Sequence, residues 1–557
     1  MPLAYEPAAR LAERFLHEGI VRRIWSRDPG VWRADPGSDA AGAIATRLGW
    51  LDVAHTMDPE LNRVSRLAES VRDEHFDTAY LLGMGGSSLC AEVIHSVFGT
   101  VDGFPKLVVL DTTDEHTITT AARGSDPART MFIVASKSGG TVEVASMERY
   151  FWNWMSNAVG SSAGRHFVAI TDGGTALETL ASNRGYRETF INPSDIGGRF
   201  SALSLFGLVP AALVGVSPHD LLAAGAVMSE GCQQENHANA GLELGAFLGG
   251  AALAGRDKLT VILPPSLASL GLWIEQLIAE STGKHGKGIL PVVDEPLGRP
   301  LDYGQDRAFV VMTTDRDKPD LGAISALEKG EHPILRLTTR IDALGAEFFR
   351  WEFATGVAGA ALVVNPFDEP NVAEAKAKTN TLLDGYLSTR QLTNATPGKD
   401  NHDVDVQTRG FSGDEPAEIV RAAIESIQPG DYVAFLSYLP ASSSFAESVN
   451  GVRVAIRART RAATTFGVGP RYLHSTGQYH KGGPNSVLAF VVTADDQTQT
   501  EVPGAGYSFS VLKRAQALGD VQTLQAHGRR VVHLHVTSPE PAVAISQLFA
   551  DALRPSA

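Results

Sequence analysis

From about residue 75 onward the chain alternates short, continuously apolar runs with stretches of helical spacing. TAYLLGMG, KLVVLD, TMFIVASKS and HFVAITD are four such runs. Strands buried on both faces of a parallel sheet read this way, because crossover helices cover the two faces. A second round, LTVILPP, AFVVMTT, PILRLTT and a closing ALVVNPF, predicts another sheet from about 258 to 365. PPSLASLGLWIEQL after its first strand echoes GGSSLCAEVIHSV, so two related sheets are expected, the second without the glycines. The residues ahead of 75 are helical, beginning with the amphipathic MPLAYEPAARLAERFLHEG. The polar, turn-rich stretch 391–416 marks a boundary, after which DYVAFLSYL, SVLAFVV and RRVVHLHVT predict further strands. The expected fold class is therefore α/β, with two doubly wound, mainly parallel sheets. The expected units are a helical extension (1–75), a first domain (76–245), a second domain (246–390) and a smaller C-terminal α/β unit (391–557).

Composition narrows the function classes. The chain has 557 residues, 43% of them hydrophobic, and carries a formal charge of -15. Nucleic acid and anionic membranes call for basic stripes. The nearest candidate, VRVAIRARTR at 452–461, alternates like a strand with one solvated face. Phe200 to Pro218, the longest uncharged run, contains Ser, Gly and Pro and reads as a buried core helix. Two cysteines, Cys90 and Cys232, are too few for a disulfide framework, and the amino terminus lacks the apolar core of a signal peptide. A cytoplasmic protein is expected.

Two loops carry candidate chemistry. LLGMGGSSL, 81–89, runs from a strand into a glycine turn and a helix, where backbone N–H groups and the helix dipole favour an anion. Three readings stand for it alone: a plain turn, a phosphate site around Gly86 and Ser87, and a dinucleotide site. The last is sketched by Gly83, Gly85 and Asp111, with Ser88 where its third glycine belongs. The loop SKSGGT gathers Ser136, Lys137, Ser138 and Thr141 at the end of another strand. Several hydroxyl donors and one ammonium suit the three acceptor oxygens of a phosphate monoester, which a nicotinamide cofactor does not need.

GMGGSSL, SKSGGTVE, IGGRFSALS (196–204), WIEQLIAESTGK (273–284) and NPFDEPNVAEAK (365–376) together resemble the signature segments of the glucose-6-phosphate isomerase family, in its order. The last third, including RYLHSTGQYHKGG at 471–483, is most similar to the isomerase half of transaldolase/isomerase fusions. The leading 75 residues are too few for an aldolase barrel. The resemblance implies a sugar isomerase fold, interconversion of glucose 6-phosphate and fructose 6-phosphate through a cis-enediolate, a small sugar phosphate as partner, and no cofactor. It leaves a homodimer open.

It also implies roles. Glu280 matches the general base. Its helix is predicted to stop at Gly283, so the helix dipole should raise the carboxyl's pKa; an exposed Glu280–Lys284 pair is the plain alternative. Gln276, one turn earlier on the same face, is placed to bond the substrate. Arg199 matches the group that stabilises the developing oxyanion, and Lys376 the lysine that helps bind the sugar and open its ring. The histidine that shuttles the ring-opening proton falls on His474 in LHSTGQ, about a hundred residues after Lys376, whereas most members have it before the lysine; His285 and His480 are rivals. Val144, Glu369, Asn371 and Ala373 depart from the family pattern. Scattered histidines and the loop DNHDVD (400–405) support no metal. Isomerases of mannose or amino-sugar phosphates, and a non-catalytic sugar-phosphate-binding regulator, remain alternatives.

Overall fold

In the computed structural model, described for residues 3–33, 37–392, 403–440, 442–496 and 498–554, three sheets carry the chain. The first holds β1 (Thr78–Leu82), β2 (Lys106–Leu110), β3 (Thr130–Ala135), β4 (Phe167–Asp172) and β5 (Glu188–Asn192), parallel in the order β2-β1-β3-β4-β5. The second holds β6 (Lys258–Ile262), β7 (Leu290–Val292), β8 (Arg307–Thr313) and β9 (Ile334–Thr338), parallel in the order β7-β6-β8-β9. The third holds β10 (Val404–Thr408), β11 (Tyr432–Ser437), β12 (Ala463–Val468), β13 (Val487–Ala494) and β14 (Arg530–Val536). Its order is β10-β14-β13-β11-β12, with β10 antiparallel at the edge.

The internal echo extends further than the sequence suggested. In each sheet the unit's first strand lies between its second and third, with the fourth outside the third, β10 aside. The strand order reverses between the first and third strands, and in open parallel sheets ligands bind at the carboxyl ends of strands at such a point. In the first sheet these ends lead into GMGGSSL and SKSGGT. In the second, the turn Pro265–Leu267 stands where Gly85–Ser87 stands in the first, and each precedes a helix: α1 (Leu89–Phe98) in the first sheet and α3 (Leu270–Thr282) in the second, α2 (Val142–Val159) being the helix that follows β3.

One apolar core joins the first two sheets. It runs from Ala8 and Leu11 of the helix Glu6–His17 through Trp50, Leu81, Ile133 and Phe200 to Trp273 and Phe348. The helix Leu205–Leu213 lies wholly inside it, as expected of the uncharged run. No helix among the described residues is long and apolar enough to cross a membrane. Cys90 and Cys232 are free and buried, and burial pushes both thiols up to about 12.

Two sequence readings fail. ALVVNPF is not a strand: it begins in the last turn of α4 (Leu344–Leu362) and continues as a turn toward α5 (Pro370–Thr389). VRVAIRARTR is not a strand either, but lies in the helix Ser443–Thr460 and the residue after it. Its alternation is incidental: Arg453 and Arg457, four apart on one helix face, point inward to the second sheet. Glu295 is their counter-charge. Arg307 Nη2 approaches its Oε1 at 3.0 Å and Arg457 Nη1 its Oε2 at 3.1 Å, while Thr464 donates from its backbone at 3.0 Å. Burial opposes ionisation of Glu295, but Arg307 and Arg457 outweigh it and bring the carboxyl down to about 2. Because the folded value lies below the ordinary one near 4.5, this stabilisation is present above that pH and is lost as pH falls toward about 2. Glu295→Ala strands two buried guanidinium groups and is expected to cost ~3–5 kcal/mol at neutral pH, as breaking buried pairs does. Urea unfolding followed by circular dichroism measures it.

The stretch 393–402, which includes the start of DNHDVD, lies outside the described residues. Among the described residues no cluster of three His, Cys, Asp or Glu is placed to hold a metal.

Candidate functional site

The glycine turn after β1 is where the loops converge. A Cβ on Gly86 would stand 2.0 Å from the carbonyl oxygen of Gly198, and one on Gly85 would stand 2.7 Å from both Gln276 Nε2 and the carbonyl oxygen of His474. No larger residue fits there, so GMGGSSL meets IGGRF, the helix α3 and the His474 segment at one place. Ser87 and Ser88 are buried, and Ser88 donates to the Gly85 carbonyl at 3.1 Å.

The helix α3 is apolar and buried on nearly all sides, so its few polar groups need partners within the protein. It stops at Gly283, as expected. Gln276 Nε2 donates to Glu280 Oε2 at 3.1 Å and to the His474 carbonyl at 2.8 Å, while Gln276 Oε1 is buried with no partner among the described residues. Arg199 closes the other side of Glu280, with Nη1 3.6 Å from Glu280 Oε2 and 3.0 Å from Glu369 Oε2. Its remaining donors reach Ser281 Oγ at 2.7 Å, the Pro366 carbonyl at 2.6 Å and the Asp368 carbonyl at 2.9 Å. The Glu280 carboxyl lies above its ordinary range because of burial, with Arg199 opposing the rise and Glu369 adding to it. The expected direction holds, but burial leads the rise where the sequence reading named the helix end. The alternative Glu280–Lys284 pair does not form: Lys284 turns to Asp368 at 2.6 Å and to the Asn365 carbonyl, and burial brings its ammonium down to about 8.

His474 reaches this place from the third unit. It ends the single turn Arg471–His474 after β12, and Arg471 clamps that turn to the first unit through Asp111 at 2.6 Å and Glu92 at 2.8 Å. Asp111, the acid a dinucleotide would require at the ribose, is thus engaged by an arginine. His474 Nε2 meets Glu143 Oε1 at 2.9 Å. Burial works against ionisation of Glu143, but His474 first, and Lys376 after it, hold the carboxyl below the ordinary range. Lys376 is exposed on α5. The rivals lie in other surroundings. His480 is buried against the Tyr432 hydroxyl at 2.7 Å, and burial lowers it to about 3; His285 is exposed.

The second loop is brought in unequally. Ser136 and Thr141 hydroxyls lie 3.1 Å apart, directly before Glu143 at the start of α2. Ser138 is exposed, its hydroxyl accepting from Gly140 N at 3.4 Å. Lys137 turns aside to Asp172 and to the Ser194 carbonyl at 2.9 Å. Glu143 had no role in the sequence reading; its signal is its place immediately after the hydroxyl loop. Glu369, noted there only as a departure from a family pattern, contacts Arg199 directly.

A cleft of about 800 Å³ opens between the third sheet and its helices, lined by Thr493, Lys513, His533 and His535 among others. Glu280, Arg199 and His474 do not line it.

The chain is similar to known proteins over much of its length. The phosphoglucose isomerase family model matches residues 74–296, which include Arg199, Gln276 and Glu280 but neither Lys376 nor His474. A glucose-6-phosphate isomerase of Heliobacterium modesticaldum is 31% identical over 398 residues, covering 61% of this chain and 88% of that protein. One from Exiguobacterium sibiricum is 28% identical over 404 residues, covering 62% and 88%. The crystal structure of a glucose-6-phosphate isomerase from Chlamydia trachomatis superposes with a TM-score of 0.56 at 18% identity, over 69% of this chain and 86% of that one, and shares the fold. With 88% of the Heliobacterium protein matched at 31% identity, the chain belongs to the glucose-6-phosphate isomerase family.

Proposed function

We propose that the protein interconverts glucose 6-phosphate and fructose 6-phosphate, with Glu280, His474, Arg199 and Lys376 carrying the chemistry. One observation carries this reading: a single amide, Gln276 Nε2, bonds both the buried carboxylate Glu280 and the backbone of His474. Glu280 and the backbone of His474, from different units, are thereby held side by side. The backbone N–H of Gly86 and the hydroxyls of Ser87, Ser136 and Thr141 are the donors for the phosphate, the Ser87 N–H being held by the Met84 carbonyl; Lys137 and Ser138 border it. Because Nε2 of His474 is engaged by Glu143, Nδ1 is the nitrogen that takes the proton from the C1 hydroxyl and returns one to the ring oxygen, opening the ring. Lys376 supplies positive charge beside that oxygen. Glu280 then removes the proton on C2, and Arg199 stabilises the negative oxygen of the enediolate. The same carboxyl returns the proton to C1, while the O2 hydroxyl proton passes to O1 and leaves the C2 carbonyl. Gln276 Oε1, buried and unpaired, is an acceptor for a sugar hydroxyl.

Purified protein given fructose 6-phosphate alone should form glucose 6-phosphate, followed by NMR. Preferential formation of mannose 6-phosphate would move the assignment to a related isomerase. Binding without turnover would favour the regulator.

A further inference from the structure

The carboxylate that meets His474 is itself held from another unit. Glu143 Oε1 accepts from Gln516 Nε2 at 2.7 Å as well as from His474, and Gln516 Oε1 accepts from Thr113 Oγ1 at 2.8 Å. An ionised carboxylate only accepts, so the nitrogen of this amide has to face Glu143. All three partners are buried, Thr113 at 0%, Gln516 at 2% and Glu143 at 4% exposure, so no solvent molecule replaces the amide if it is removed.

Gln516 belongs to α6 (Phe509–Ala526), and one face of that helix spans the junction of the units. Lys513 reaches Asp114 at 2.9 Å, beside Thr113 and after β2. Asp520 accepts from the Tyr472 hydroxyl at 2.6 Å and pairs with Lys481 at 2.5 Å, on either side of His474 in the chain. The helix that aligns the histidine turn therefore also aligns its carboxylate partner.

We propose that Gln516 is a positioning residue for ring opening: its amide aims Glu143 at His474 Nε2 and so keeps Nδ1 as the nitrogen that exchanges the sugar proton. This rests on the ring-opening role proposed above for His474. Besides His474, the charged or titratable groups whose influence reaches Glu143 are Lys376 and Tyr438, which the test leaves unchanged.

Interconversion of the α and β anomers of glucose 6-phosphate needs ring opening but no proton transfer between C1 and C2. It is measured by exchange NMR in a Glu280→Gln background, where isomerisation is slowed about a thousand-fold. Gln516→Met loses both bonds, whereas Gln516→Glu keeps the size and the bond from Thr113 but turns the donor into an acceptor. Both should slow anomer exchange roughly ten- to hundred-fold, the size of a lost charge-assisted hydrogen bond. Both should also move the acid limb of the rate to higher pH, since Glu143 without its donor takes up a proton more readily. A merely structural role would leave that limb in place. Wild-type exchange in both variants, with an unmoved limb, overturns the proposal. If Gln516→Met does not fold, the near-isosteric Gln516→Glu decides alone. His474→Gln separates the two readings: if it too exchanges anomers at the unsubstituted rate, the ring-opening role fails and the positioning role with it, whereas if only His474→Gln is impaired, the role of Gln516 alone is rejected.

Discussion

Glu280→Gln is expected to lower isomerisation about a thousand-fold, within the range by which a positioned acid or base accelerates proton transfer. The change is nearly isosteric. Gln276 still finds a carbonyl oxygen to donate to, and Arg199 keeps Glu369 at 3.0 Å, so sugar-phosphate binding should survive. The pH profile gives a second readout. Burial holds the Glu280 carboxyl above the ordinary range, so the wild-type rate should fall as pH drops through that raised value, where the base becomes protonated. The residual rate of the variant should lack this limb. Turnover above a tenth of the wild-type rate would exclude Glu280 as the base.

Replacing Arg199 tests the electrostatic half of the site. With Arg199→Met, Glu280 and Glu369 keep their negative charges without the shared cation, and the enediolate oxygen loses its counter-charge. A hundred- to thousand-fold fall in kcat is expected, the size seen when a preorganised oxyanion donor is removed. The acid limb should also move to higher pH, because like charge raises Glu280 further. Arg199 holds the Pro366 and Asp368 carbonyls as well, so its removal also frees the 365–369 turn. Arg199→Lys separates the two effects. It restores the charge as a point ammonium without the planar fork, and a kcat partly recovered with the limb returned toward its original position assigns the effect to charge. A kcat within threefold of wild type in Arg199→Met would remove the arginine from the chemistry.

The reading of Glu280 shows how far local pattern reaches. The stop at Gly283 and the shared face of Gln276 and Glu280 follow from helix geometry and could be read without coordinates. The main source of the raised carboxyl could not. It is the burial of the whole helix, a property of what packs around α3. VRVAIRARTR makes the same point from the other side: its alternation suited a strand, and only Glu295, distant in sequence, explains why its arginines turn inward on a helix.

Locally encoded features were therefore the ones accessible from residue order: apolar runs that become buried parallel strands, glycine turns at their ends, and the motifs that carry the family resemblance. The chain alone also singled out Glu280, Arg199, His474 and the hydroxyl loop as candidates. Tertiary structure decided which of them meet. It delivered His474 from the third unit to Glu143 and Gln276, drew Lys137 to Asp172, and introduced Gln516 from a helix with no recognisable motif. The physical reason is that a buried polar group is specified by its partners, and here those partners lie from 35 to 373 residues apart, most of them in units whose docking no local pattern encodes.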